Sequence, residues 1–228
     1  MIFANRVEAG RELARKLTKY AGRDDVIVLG APRGGVPVAF EVARELRAPL
    51  DVFVVRKLGV PGHEELAFGA IASGGIRIIN RSTIEALSLT DREVEQVAAA
   101  EEKELKRRER EYRHSRAPLN LNGRTAILVD DGIATGASVL AAIHALREMK
   151  PKALVVATPV APRATCDGLR READDVVCAE SPEPFYGVGQ FYGDFSQVSD
   201  EEVTELLERA SYELEEKQEP YAHRAARR

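Results

Sequence analysis

An α/β fold with a mainly parallel central sheet flanked by helices is what this chain predicts, on two observations. Short runs of wholly apolar residues alternate with longer stretches whose apolar positions recur at helical spacing. The residues best suited to phosphate and sugar chemistry stand directly after those apolar runs, where the carboxyl ends of parallel strands would gather them. The 228 residues suit one α/β domain, drawn here over residues 1–216 with a polar tail at 217–228. Charged residues at 31%, hydrophobic ones at 44% and a net charge of −4 describe a soluble globule with no general attraction for nucleic acid. No run is long and apolar enough for a membrane span, and Arg6 and Glu8 stand where a signal peptide needs an apolar core, so a cytoplasmic protein is expected. The two cysteines, Cys166 and Cys178, have no CxxC spacing and no nearby histidine cluster, so they read as simple thiols rather than a disulfide framework or zinc site.

Taken in order, Asn5 to Tyr20 reads as a helix capped by Asn5, stopped by Gly22 and packed through Val7, Leu13, Ala14 and Leu17. Val26 to Leu29 is a buried strand. The loop Gly30 to Gly35 and a helix from Val36 to Leu46 follow it. Glycines there let backbone approach a ligand, and Arg33 offers a planar donor fork for phosphate oxygens. Leu50 to Val55 is a second buried strand. It leads into Arg56-Lys57 and then a Gly/Pro stretch, Leu58 to Glu65, expected to be a mobile lid over an anionic ligand. His63-Glu64 lies in that lid, but Ala67 stands where a zinc-protease motif needs its second histidine. Phe68 to Ala72 and Ile76 to Ile79 form a hairpin around Ser73-Gly74-Gly75. Thr90 then caps a long helix, Asp91 to about Arg116. Its apolar stripe of Val94, Ala98, Leu105 and Tyr112 is narrow, and its acids and bases read as a solvated, salt-bridged face.

The most informative stretch is Ala126 to Ser138. Four apolar residues run into Asp130-Asp131, then a Gly-rich turn, then a helix from Ala137 to Met149. Amides of Ala134 to Ser138 at the helix start, with the Thr135 and Ser138 hydroxyls, would cradle a phosphate. The two carboxylates beside them suit a sugar diol or a metal held through water. Ala153 to Ala157 is a further strand, Pro162 to Glu172 a helix and Asp175 to Cys178 the last strand. Ser181 to Phe195 is rich in Pro, Gly and aromatics that could stack on a flat base, and Ser199 to Glu215 is an amphipathic helix.

Val129 to Ser138 resembles the phosphoribosyl-pyrophosphate (PRPP) motif of type I phosphoribosyltransferases, and Arg33-Gly34-Gly35 is similar to that family's pyrophosphate loop. Arg56-Lys57 with its flexible loop looks like the adenine and orotate branches, and residues 181–195 look like the C-terminal hood of the purine enzymes. The resemblance implies Mg²⁺-dependent transfer of ribose 5-phosphate from PRPP to a nitrogenous base, a purine being one candidate, with release of pyrophosphate. It further implies catalytic roles for Arg33, Lys57, Asp130 and Asp131, and PRPP contacts from Gly34, Gly35, Arg56, Ala134, Thr135, Gly136, Ala137 and Ser138. Phe185 and Tyr186 would meet the base, metal contacts would come from Asp194 and, through water, Asp130 and Asp131, and the assembly would be a homodimer. Two positions depart from the hypoxanthine-guanine pattern. Ala134 replaces an acid proposed as general base, and Thr158-Pro159 stands about where a purine-reading lysine is carried. The alternative is a non-catalytic PRPP or nucleotide sensor, against which the intact Arg33 and Arg56-Lys57 weigh.

Overall fold

The structure, a computed structural model, describes residues 2–114 and 116–225. In chain order the elements are α1 (Arg6–Lys16), β1 (Val26–Gly30), α2 (Gly35–Leu46), β2 (Leu50–Val52), β3 (Val55–Val60), β4 (His63–Ala72) and β5 (Ile76–Ile79). There follow α3 (Arg81–Ala86), α4 (Asp91–Arg113), β6 (Thr125–Val129), α5 (Ala137–Glu148), β7 (Ala153–Val160), α6 (Arg163–Leu169), β8 (Asp175–Glu180) and α7 (Asp200–Ala225). Five strands make one wholly parallel sheet in the order β2-β1-β6-β7-β8. This is the mainly parallel architecture expected.

The apolar runs become strands because the sheet is covered on both faces. On β1, Val26 and Val28 join one core with Leu13 of α1, Phe40 of α2, Leu105 of α4 and Leu207 of α7. Ile27 and Leu29 face the other core with Val139 and Ile143 of α5 and Leu169 of α6. Register then fixes the site's location. Gly30 pairs with Val129 and Val129 with Ala157, so three central strands end side by side and their following loops share one edge. Gly35, at the start of α2, presses against that edge. A Cβ there would lie 2.6 Å from the Val129 carbonyl oxygen and 3.0 Å from Asp130 Cα.

The expected lid is instead strand. Leu58 to Glu65 belongs to an antiparallel ribbon, β3-β4-β5, whose β3–β4 turn sits at Pro61-Gly62 with Gly62 at φ +77°. Leu58 and Val60 are buried, so their burial outweighs the Gly and Pro content that suggests a loop, and a register shift at Gly59 absorbs the irregularity. The hairpin at Ser73-Gly74-Gly75 is present as expected. α3 carries no buried residue, so no apolar face reveals it in the sequence. Asn80 starts it by accepting the Thr83 amide hydrogen.

α4 begins with the Thr90/Glu93 capping box and stops at Arg113, three residues short of the expected Arg116. α7 runs on to Ala225, past Glu215 and through most of the expected tail, in a segment rich in strong helix formers. Cys166 and Cys178 are bonded, not free thiols. A single pair joining a helix to the next strand leaves no pattern of spacings to read.

Gly35→Ala should test the packing at the sheet edge. The added methyl meets backbone, which cannot swing aside, so a destabilisation of about 2 kcal/mol and a thermal midpoint lower by roughly 4–8 °C are expected in a thermal scan.

Candidate functional site

Two loops meet at the carboxyl edge of the sheet, one after β1 and one after β6. After β1 the chain turns through Ala31 to Gly34, with a cis Pro32–Arg33 peptide, and the Ala31 amide donates to the Val129 carbonyl at 2.8 Å. After β6 come Asp130 and Asp131. The Asp131 carboxylate lies against the bare Cα of Gly34, where a Cβ would come within 2.1 Å of Oδ2 and so displace the carboxylate. The remainder of that second loop, 134–136, is fastened from both sides. Buried Ile133 donates its amide to the Val160 carbonyl at 2.9 Å, and the Thr165 hydroxyl of α6 donates to the Ala134 carbonyl at 2.7 Å. Gly136, at φ +80°, turns the chain into α5, which begins without a side-chain cap. Its first amides therefore suit an anion, beside the exposed Thr135, Ala137 and Ser138.

The two acids differ in their surroundings. Asp130 accepts the Asp131 amide hydrogen at 2.9 Å, and burial, reinforced by the charge of Asp131, pushes its carboxyl up to about 8. Burial also raises Asp131, but Arg6 opposes the shift by donating from Nε to Oδ2 at 2.8 Å. Arg6 itself is held by the Ser196 carbonyl at 2.8 Å and lies 4.0 Å from the centre of the Phe195 ring. The Tyr192 hydroxyl donates to the Asp131 carbonyl.

A cleft of about 300 Å³ brings together Pro32, Gly34, Arg56, Arg108, Asp130 and Ser138. Arg56 reaches it from β3 and pairs with Glu101 of α4 at 2.6 Å. Lys57 does not share the cleft. It lines a second groove, of about 700 Å³, with Ala137, Leu140 and His144, because neighbouring residues of a strand face opposite sides. Arg33 leans to Asp200 at the start of α7, 3.6 Å away, and Asp200 also accepts from the Tyr112 hydroxyl.

The hood closes on the second loop through Val188, whose side chain sits where a Cβ on Gly132 would be, at 2.1 Å. Phe185 is engaged with Phe191, ring centres 4.9 Å apart, and packs on the cluster of Phe3, Val160 and Tyr192. Tyr186 is 87% exposed. Asp194 accepts the Ser196 amide at 2.9 Å, and among the described residues no group of three or more His, Cys, Asp or Glu side chains could hold a metal alone. Sequence reasoning missed Arg6, Tyr192, Glu101 and Arg108. Helical spacing was the available signal for the last two, and it also describes an ordinary solvated face.

The profile of the phosphoribosyl transferase domain matches residues 1–195. The chain belongs to the phosphoribosyl transferase family. A protein provisionally named as a phosphoribosyl transferase in two strains of Mycobacterium tuberculosis, CDC 1551 / Oshkosh and H37Rv, is 46% identical over 215 residues, 94% of this chain. This phosphoribosyl transferase domain spans 48% of the length of those relatives. The crystal structure of TT1426 from Thermus thermophilus is similar at 41% identity with a TM-score of 0.80, covering 91% of this chain and 98% of that one.

The raised Asp130 carboxyl makes stability depend on pH. The folded transferase domain keeps a proton that the unfolded chain loses near 3.8, so stability falls as pH rises from about 4 to about 8. Asp130→Asn should flatten that slope and melt higher than wild type at pH 8 in ligand-free buffer. Parallel pH profiles for the two proteins would contradict the assigned burial.

Proposed function

We propose that this chain transfers ribose 5-phosphate from PRPP to a nitrogenous base, a purine being one candidate, with release of pyrophosphate. The observation that carries the reading is the shared cleft: Gly34 and Arg56 face Asp130 and Ser138 across a space beside the uncapped start of α5. The 5-phosphate sits on the amides of Ala134 to Ser138, including Gly136 and Ala137, with the Thr135 and Ser138 hydroxyls. Asp130 and Asp131 hold the ribose diol by hydrogen bonds, and the charge of Asp131, joined by that of Asp130 once it gives up its proton, offsets the positive character that develops on the ring as the bond to pyrophosphate breaks. Arg6 must yield or share Asp131 when the diol arrives, since its guanidinium already holds one oxygen.

Gly34 and Gly35 let backbone approach the leaving pyrophosphate, Arg56 neutralises it, and Arg33 joins when it exchanges Asp200 for phosphate. Lys57 contributes only if the ribbon rotates towards the cleft. Mg²⁺, when bound, supplies charge to the leaving group, and the adjacent carboxylates of Asp130 and Asp131 suit it through water together with the oxygens of PRPP. Tyr186 is the exposed hood ring for a base, with Phe185 supporting it from the Phe191 side. A cytoplasmic homodimer belongs to the same reading. Among the described residues no helix is long and apolar enough to cross a membrane.

The turned-away Lys57 favours a second reading, a PRPP or nucleotide sensor without turnover. Pyrophosphate release from PRPP and Mg²⁺ with a panel of purine and pyrimidine bases separates the two: release with at least one base is expected, and tight PRPP binding with no release under any base would favour the sensor. Asp131→Asn should weaken PRPP binding by about 10–100-fold, the value of a charge-assisted hydrogen bond, while the thermal midpoint stays within a few degrees of wild type.

A further inference from the structure

α4 runs past the mouth of the cleft, and about two turns of it, Glu101 to Arg108, carry side chains towards it. Glu101, Glu104 and Arg108 are spaced three and four residues apart and so share a face of the helix. Glu101 reaches across to Arg56 at 2.6 Å, and Glu104 holds Arg108 at 2.8 Å. The Arg108 side chain is 25% exposed and lines the cleft with Gly34, Arg56, Asp130 and Ser138. Its neighbour Arg107 is 47% exposed, shares Glu104 with Arg108 and also pairs with Glu111 and Asp200. Adjacent arginines of one helix therefore have different surroundings, one in the cleft wall and one in a surface network.

We propose that Arg108 is a pyrophosphate-binding residue, which makes α4 a part of the binding machinery. The inference rests on the reading that the cleft takes PRPP. Pyrophosphate leaves as a multiply charged anion, and guanidinium forks pair with its oxygens two at a time. Among the residues lining the cleft, Arg56 and Arg108 are the cations, and they come from different elements, so together they can grip separate phosphate groups. Each is held beforehand by a glutamate of α4, at a partly exposed pair that is weak enough to be exchanged for phosphate.

Calorimetric titrations of inorganic pyrophosphate with Mg²⁺, PRPP with Mg²⁺, and ribose 5-phosphate test this on wild type, Arg108→Gln, Arg108→Lys and Arg107→Gln. Arg108→Gln should weaken pyrophosphate and PRPP at least about tenfold while ribose 5-phosphate stays within about twofold, with partial recovery in Arg108→Lys and no change in Arg107→Gln. Glu104→Gln, which releases Arg108 and Arg107 together, should bind pyrophosphate more tightly than wild type, and adding Arg107→Gln should leave that gain in place. Unchanged pyrophosphate affinity in Arg108→Gln and in Glu104→Gln, with wild type binding PRPP, would overturn the role of Arg108 alone. Wild type that binds neither PRPP nor pyrophosphate would overturn the reading of the cleft and this inference with it.

Discussion

Two carboxylates held side by side at the end of a buried strand are the constraint on which the rest of the site depends. Asp130 and Asp131 lose hydration there, and the charge of Asp131 helps to keep the proton on Asp130, a cost the chain offsets locally. The Asp131 amide serves Asp130, and the Arg6 guanidinium, steadied by Ser196 and Phe195, serves Asp131. Gly34 gives Asp131 its room, and Gly35 brings the start of α2 against the same strand end. The acids, the first loop and the cap-free helix α5 can share an edge because β1, β6 and β7 end in register.

The cations around the cleft are paired in advance: Arg6 with Asp131, Arg33 with Asp200, Arg56 with Glu101 and Arg108 with Glu104. Ligand capture on such a surface is an exchange of partners. Exposed pairs of this kind contribute little to stability, so giving them up costs little, and a ligand with several phosphates gains from replacing several at once. Arg6 differs, being largely buried with Asp131, and its exchange is correspondingly harder.

The parallel sheet was legible because strands covered on both faces must be apolar throughout, as in Ala126 to Val129. The turn that follows was legible because the glycines after Asp131 and the helical spacing from Ala137 mark a strand-turn-helix connection. The ribbon was not. Gly59, Pro61 and Gly62 suggest an open loop, and only burial of Leu58 and Val60 in three dimensions decides for strand. That same strand separates Arg56 from Lys57, which adjacency in sequence could not reveal. Arg6 lies 125 residues from Asp131 and Tyr192 lies 61 residues beyond it, so their convergence depends on the tertiary fold. Phe185 lies half-buried in the hood segment, its ring 4.9 Å from that of Phe191, a contact between neighbouring loop aromatics that spacing alone does not reveal.

The central claim is that the double-acid loop is where PRPP binds. The most direct measurement is a calorimetric titration of PRPP with Mg²⁺ into wild type and into a folded Asp130→Asn/Asp131→Asn double variant. Saturable binding by wild type that the double variant loses is the predicted result. Equal binding by the two proteins, or none by well-folded wild type, would contradict it.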